Sequence, residues 1–309
     1  MTAPSLPLTG AQYDIAAGEY QAIVTELGAG LRQLSCRGLQ LITSYGADEM
    51  PPAGSGELLA PWPNRVDGGR YSFGGAGYQL DLSEPDRRTA IHGLSRWASW
   101  RVAAHEADAV ELTLDLLGHA GYPFRLALRA GYRLTAEAGL EVTVSASNVG
   151  SRPAPFGTGS HPYLRAGRGS IDSWQLELPA AQWQPADDRG IPAGAPQDVG
   201  GSEFDFRTRR DIGATMLDHA FTGLRTGPDG RTPARLTGPD AEVTLWAGPG
   251  YGWLQVFTGD SLGPDRRRQA VAIEPMTCPP NAFVTGTDLI TIQPGESTTR
   301  HWGIEATIR

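Results

Sequence analysis

The stretch Phe124-Arg-Leu-Ala-Leu-Arg-Ala-Gly-Tyr-Arg-Leu134 carries an apolar side chain at 124, 126, 128, 130, 132 and 134. Leu140-Glu-Val-Thr-Val-Ser-Ala146 does the same at 140, 142, 144 and 146. Successive side chains of a strand point to opposite faces, so strict alternation marks a strand with one face buried. Thr135 to Gly139 between them offers a turn, and the two runs read as an antiparallel hairpin. The same alternation recurs at Tyr13–Ile15, Tyr20–Val24, Val110–Leu116, Gln175–Leu178, Ala241–Leu245 and Trp253–Phe257. A second hairpin is expected from Arg70–Phe73 through Gly74-Gly-Ala-Gly77 to Tyr78–Leu82.

No window repeats apolar residues at i, i+3, i+4 and i+7 for three turns. Many short strands without crossover helices predict an all-β protein, a large antiparallel β-sandwich with few short helices. The chain has 309 residues, with 40 Gly and 24 Pro punctuating short apolar runs as turns do. Without a linker, repeat or low-complexity tract, residues 1–309 read as a single domain. Two polar stretches rich in Gly, Pro and Asp, Pro185–Arg210 and Thr226–Gly238, read as long loops, a kind of loop that usually covers or builds a site.

The net charge of −8 argues against a nucleic-acid surface, which needs clustered positive charge. The basic runs Arg207–Arg210 and Arg266–Arg268 read as solvated loop charge. Cys36 and Cys278 are read as reduced thiols, because Met1–Gly10 lacks the basic and apolar regions of a leader. No stretch approaches the roughly 20 apolar residues that span a bilayer. The expectation is a cytoplasmic protein without a membrane partner, a monomer or a homodimer.

Of the six histidines, two stand in glycine-rich, turn-flanked settings. His92 lies in Ala90-Ile-His-Gly-Leu94 and His161 in Phe156-Gly-Thr-Gly-Ser-His-Pro-Tyr-Leu164. Loops held on a rigid scaffold are where catalytic groups concentrate, although either imidazole taken alone reads first as structural. Glu274, in Ala270-Val-Ala-Ile-Glu-Pro-Met276, is a carboxylate near the end of an apolar strand. It is either a general base whose pKa burial raises, or the partner of an Arg. Arg65, in Pro61-Trp-Pro-Asn-Arg-Val66, offers a planar guanidinium to vicinal hydroxyls or to a structural ion pair. Trp62 beside it is a sugar platform or core filler. Asp218, in Met216-Leu-Asp-His-Ala-Phe221, is a hydroxyl acceptor or a turn residue, and its neighbour His219 faces the other way. A metal site of His92, His161 and Glu274 lacks any close His pair in the sequence to support it.

These segments taken together resemble the aldose 1-epimerase, or galactose mutarotase, family. The resemblance rests on Asn64-Arg65 with Asp67-Gly-Gly-Arg-Tyr-Ser-Phe73, Ile91-His-Gly93, Gly121-Tyr-Pro123, Ser160-His-Pro-Tyr163, Leu217-Asp218 and Ile273-Glu-Pro275, in that order. It departs from the family pattern at Leu94, Ser160 and Phe124. It implies a galactose mutarotase-like supersandwich with a concave sugar site, no cofactor and no metal. The catalytic pair would be His161, protonating the ring oxygen, and Glu274, taking the proton from the C1 hydroxyl, on opposite sides of the hemiacetal. Arg65, His92, Asp218 and Asn64 would hold the sugar.

Ring opening needs one proton removed at O1 and one supplied at O5, and a carboxylate beside the imidazole would keep His161 protonated at neutral pH. His92-Gly-Leu-Ser-Arg96 also resembles the hexose-6-phosphate 1-epimerases, which would set Arg96 against a phosphate. The remaining readings of Arg96 are an ion pair or stacking on Trp97 or Trp100. The partner implied is a small-molecule sugar, free or phosphorylated. A non-catalytic carbohydrate-binding protein on the same sandwich would need neither His161 nor Glu274.

Overall fold

The computed structural model describes residues 7–309, so the first six residues of the leader reading lie outside the described residues. The hairpin is shifted from the alternating runs: Phe124 and Arg125 precede its first strand, and its second strand runs two residues past Ala146. Leu126–Thr135 pairs with Gly139–Asn148, with Thr135 opposite Gly139 and Leu134 opposite Leu140. Thr135 and Gly139 therefore belong to the ladder, and Ala136–Ala138 makes the turn. Leu126, Leu128, Ala130, Tyr132 and Leu134 all point inward, as the alternation demands.

This hairpin is the middle of a nine-stranded sheet. Its order is Arg101–His105, Ala109–Leu116, Leu126–Thr135, Gly139–Asn148, Ser297–Ile308, Ala241–Ala247, Thr232–Thr237, Gln175–Glu177 and Arg210–Asp211. A second sheet runs Gln197–Asp198, Ala180–Gln184, Asp218–Leu224, Trp253–Phe257, Val271–Met276, Gly159–Ser160 and Leu58–Leu59, with Tyr163–Leu164 also paired to Val271–Met276. Pairings between these strands are antiparallel. One continuous cluster of buried side chains draws Leu128, Val142, Leu245 and Ile304 from the first sheet and Phe221, Leu254, Val256 and Ile273 from the second. A four-stranded sheet from Gln12 to Gln40 flanks it, tied down where the Tyr132 hydroxyl donates to the Ala29 carbonyl at 2.6 Å. Helix among the described residues is limited to Ala282–Thr285 and three short 3-10 turns.

Several expectations change. Thr232–Thr237 is a strand of the large sheet, so nearly half of the expected loop Thr226–Gly238 is ladder. Its Thr-Pro-Ala-Arg-Leu-Thr alternation was masked by the surrounding turn residues. The second hairpin turns tightly at Gly74-Gly75, both with positive φ, so Ala76–Gln79 is its return strand and Leu80–Leu82 lies outside. Glu274 stands two residues before the end of the buried strand Val271–Met276, which continues through Pro275. Trp62 is 2% exposed against Phe283 and serves the core. Arg268 is not a solvated charge but is held between Asp172 and Asp260. Cys36 and Cys278 are buried and unbridged. No helix among the described residues is long and apolar enough to cross a membrane.

Leu128→Ala should lower stability by about 2–5 kcal/mol, because it opens a cavity on the buried face. Arg129→Ala on the exposed face should change it by no more than about 0.5 kcal/mol. Urea midpoints at constant m-value compare the two.

Candidate active site

The two faces of the second sheet have different neighbours. Val256, Leu254 and Ile273 point into the core, and the alternate residues point the other way. On that face Gln255 lies opposite Glu274, Phe257 opposite Ala272, and Asp218 opposite Phe257. Asp218, Gln255, Phe257 and Glu274 form the floor of a cleft of about 450 Å³. Its walls come from the segment before Leu58–Leu59, from Asn64 and Arg65, and from the loops on either side of Thr89–Ile91. The cleft is lined by Asn64, Arg65, His92, Arg96, His161, Asp218 and Glu274, so every singled-out site residue borders one space.

The local backbone explains how distant segments converge. Ser160 pairs with Leu58, and His161 N–H donates to the Glu57 carbonyl at 3.0 Å. This fixes the strand end from which the imidazole projects. His161 Nε2 reaches Glu274 Oε1 at 3.3 Å, and its ring stacks on Tyr163 with centroids 4.9 Å apart. The two side chains expected to act as acid and base therefore touch, rather than standing on opposite sides of a shared space.

Their titration also departs from the sequence expectation. Burial drives the His161 pKa down to about 4, and the Arg96 and Arg65 charges add to the effect. Burial, with the Asp218 charge behind it, pushes Glu274 well above the usual carboxylate range. Both shifts disfavour charge, so a proton shared by the pair favours the carboxyl over the imidazole. The carboxylate does not keep His161 charged, because desolvation outweighs the attraction.

His92 is fixed in one tautomer. Its Nδ1 accepts from the Asn64 backbone N–H at 3.2 Å, and its own N–H donates to the Asn64 carbonyl at 2.9 Å. Both residues take positive φ, which the paired turns require. Burial holds His92 well below the ordinary histidine pKa, so Nε2 keeps the proton and is a neutral donor. The Asn64 side chain turns back to accept from Arg65 N–H at 2.9 Å; its role here is to shape the wall.

Arg65 is bidentate to Glu84, Nε to Oε2 at 2.7 Å and Nη2 to Oε1 at 3.0 Å, while Nη1 is outside that pairing. The two readings of Arg65 thus coexist: an ion pair orients a guanidinium that lines the cleft. Arg96 is paired with the buried Glu57 at 3.2 Å and lies over Trp97, 4.1 Å from its ring centroid. Asp218 opens its strand and accepts from Gln255 Nε2 at 2.9 Å. His219 turns away, against Trp183 and Phe204.

Gln255, Glu57 and Glu84 were not singled out from the sequence. A polar residue within the run Trp253-Leu-Gln-Val-Phe257 was the available signal for Gln255. Glu274 Oε2 and Gln255 Oε1 are buried without a hydrogen-bond partner, as is His161 Nδ1. Unsatisfied polar atoms at the floor of a cleft suit a ligand rich in hydroxyls. Among the described residues, no three His, Cys, Asp or Glu side chains are grouped so as to hold a metal ion.

The sequence profile of the family described as Aldose 1-epimerase matches residues 11–305. The chain belongs to the aldose 1-epimerase family. Among its relatives, the uncharacterized protein YihR of Escherichia coli is 36% identical over 296 residues, covering 96% of this chain and 93% of the relative. The aldose 1-epimerase of Escherichia coli is 25% identical over 225 residues, covering 67% of this chain and 64% of its own. The GalM/aldose epimerase homologue from C. elegans superposes with a TM-score of 0.86 at 18% identity, over 96% of this chain and 99% of that one. Galactose 1-epimerase from Lactobacillus acidophilus superposes at 0.81 with 22% identity, over 95% and 92%. The antiparallel β-sandwich expected from alternation, and the galactose mutarotase-like form that the resemblance implied, is the fold observed.

Proposed function

We propose that this chain interconverts the α and β anomers of a free aldohexose by cofactor-free acid–base ring opening and closure, with residues 1–309 acting as one domain. The observation that carries the reading is the 3.3 Å contact between His161 and Glu274 on the floor of a polar cleft. O1 and O5 of a pyranose are both bonded to C1. An acid and a base in contact can therefore serve both oxygens from one side.

Glu274 accepts the O1 proton, His161 gives one to O5, and the C1–O5 bond opens to an aldehyde. Rotation about C1–C2 and reclosure by the reverse transfers give the other anomer. The productive tautomer carries its proton on His161, and the Arg65 charge favours the carboxylate this requires. His92 Nε2–H donates to a sugar oxygen, Asp218 and Gln255 accept from hydroxyls, and Arg65 Nη1 donates.

A phosphorylated hexose is the competing substrate. Glu57 already neutralises Arg96, and its carboxylate would oppose a phosphate at the same place. That favours the free sugar. Proton-NMR exchange between α and β anomers tests the function with D-glucose, D-galactose and their 6-phosphates. Faster interconversion of a free hexose is the expected result, and saturable binding without acceleration would leave a carbohydrate-binding protein. Arg96→Ala should leave exchange of the free hexose within about threefold, since no substrate charge is lost. A loss of about tenfold or more in kcat/KM, confined to the 6-phosphate, would assign the phosphorylated substrate instead.

A further inference from the structure

The long loop Pro185–Arg210 contributes one tight turn to the neighbourhood of the cleft. Asp187 builds it: its carboxylate accepts from the Arg189 and Ile191 backbone N–H groups, both at 2.9 Å, and its own N–H donates to the Ile191 carbonyl at 2.8 Å. Arg189 then anchors the turn, with Nη1 2.7 Å from Asp67 Oδ1. Asp67 is two residues beyond Arg65 on the same strand, Arg65–Asp67. The clamp therefore grips the strand that carries the sugar-facing guanidinium.

Gly190 is at the tip of the turn. A Cβ there would stand 2.7 Å from Arg65 Nη1 and 3.2 Å from its Cζ. The side chain of Arg65 cannot easily yield. It is 11% exposed, and Glu84 holds it from the other side while Thr89 Oγ1 donates to Glu84 Oε2 at 2.7 Å. The guanidinium is thus gripped between Glu84 and the bare backbone of Gly190, and Nη1 is the nitrogen the loop touches.

We propose that the turn Asp187–Ile191 is a positioning element for Arg65, with Gly190 setting where Nη1 stands and Arg189–Asp67 holding the turn in register. The inference rests on the proposed sugar chemistry only for its kinetic readout. Gly190 touches Arg65 and reaches substrate through it, so its substitution acts on sugar binding more than on proton transfer.

The test compares Gly190→Ala with Gly194→Ala. Both glycines have positive φ, +75° and +88°, so both substitutions carry left-handed backbone strain, but a Cβ on Gly194 meets nothing within 4 Å. In anomer exchange with D-glucose and D-galactose, Gly190→Ala should raise KM about tenfold with kcat within about twofold. Gly194→Ala should change neither, with a similar fall in Tm. In an Arg65→Lys background, where the guanidinium is gone, Gly190→Ala should add less than about twofold.

Equal KM effects of the two alanines, or an undiminished Gly190→Ala effect on Arg65→Lys, would overturn the proposal. A crystal structure of Gly190→Ala decides it without turnover: an unmoved guanidinium refutes it and a displaced one supports it. If the wild-type chain exchanges no anomers, the functional reading fails while that structure still tests the positioning.

Discussion

Glu274→Gln should lower kcat for anomer exchange by at least about 10²-fold, with a much smaller effect on sugar affinity, because it removes the group that accepts the O1 proton. Gln preserves the shape of the side chain and can still hydrogen-bond at the same place on Val271–Met276. A loss confined to affinity would remove Glu274 from the base role. The same variant has a signature in stability. Burial raises the folded-state pKa of Glu274 above its unfolded value, so between the two the folded chain binds more protons and stability falls as pH rises. His161 has the opposite sign: its folded pKa is lowered to about 4, so the unfolded chain binds more protons from about 4 up to 6.5, and stability rises with pH there. Glu274→Gln removes only the first contribution. Its stability relative to wild type should therefore improve as pH rises above the ordinary carboxylate range, as read by Tm. A difference that stays flat with pH would mean that the carboxyl is not held neutral by burial.

That signature concerns a proton whose location the sequence could not give. Alternation identified the strands because the period of two is local and every sheet here has a buried face. It did not give the site: Arg65, His92, His161, Asp218 and Glu274 were legible from their local settings and from the resemblance, and all five border the cleft. What failed depended on register and depth. Gln255 faces Glu274 because Trp253–Phe257 and Val271–Met276 pair at that step, and no feature within either run states the offset. Glu57 meets Arg96, and Glu84 meets Arg65, across loops whose closure depends on the whole sandwich. The expectation of a charged His161 considered its neighbour and not its desolvation. At 5% exposure for His161 and 2% for Glu274, the cost of charge is the larger effect.

His161→Asn should cost about 10²- to 10⁴-fold in kcat, the range of a positioned general acid. The pH profile carries more information than the size of the loss. The working pair holds a single proton. Below about pH 4 the wild-type imidazole gains a second one, leaving an acid but no base. Above the raised pKa of Glu274 the last proton leaves, and a base remains without an acid. A bell-shaped kcat/KM follows, with its acid limb near 4, and His161→Asn should abolish that limb. Because both side chains serve one proton exchange, the losses should not add. The double variant His161→Asn, Glu274→Gln should be only about as slow as the slower single one. Additive losses would mean that the two act independently at different steps, and the 3.3 Å contact between them would then be structural rather than the path of the proton.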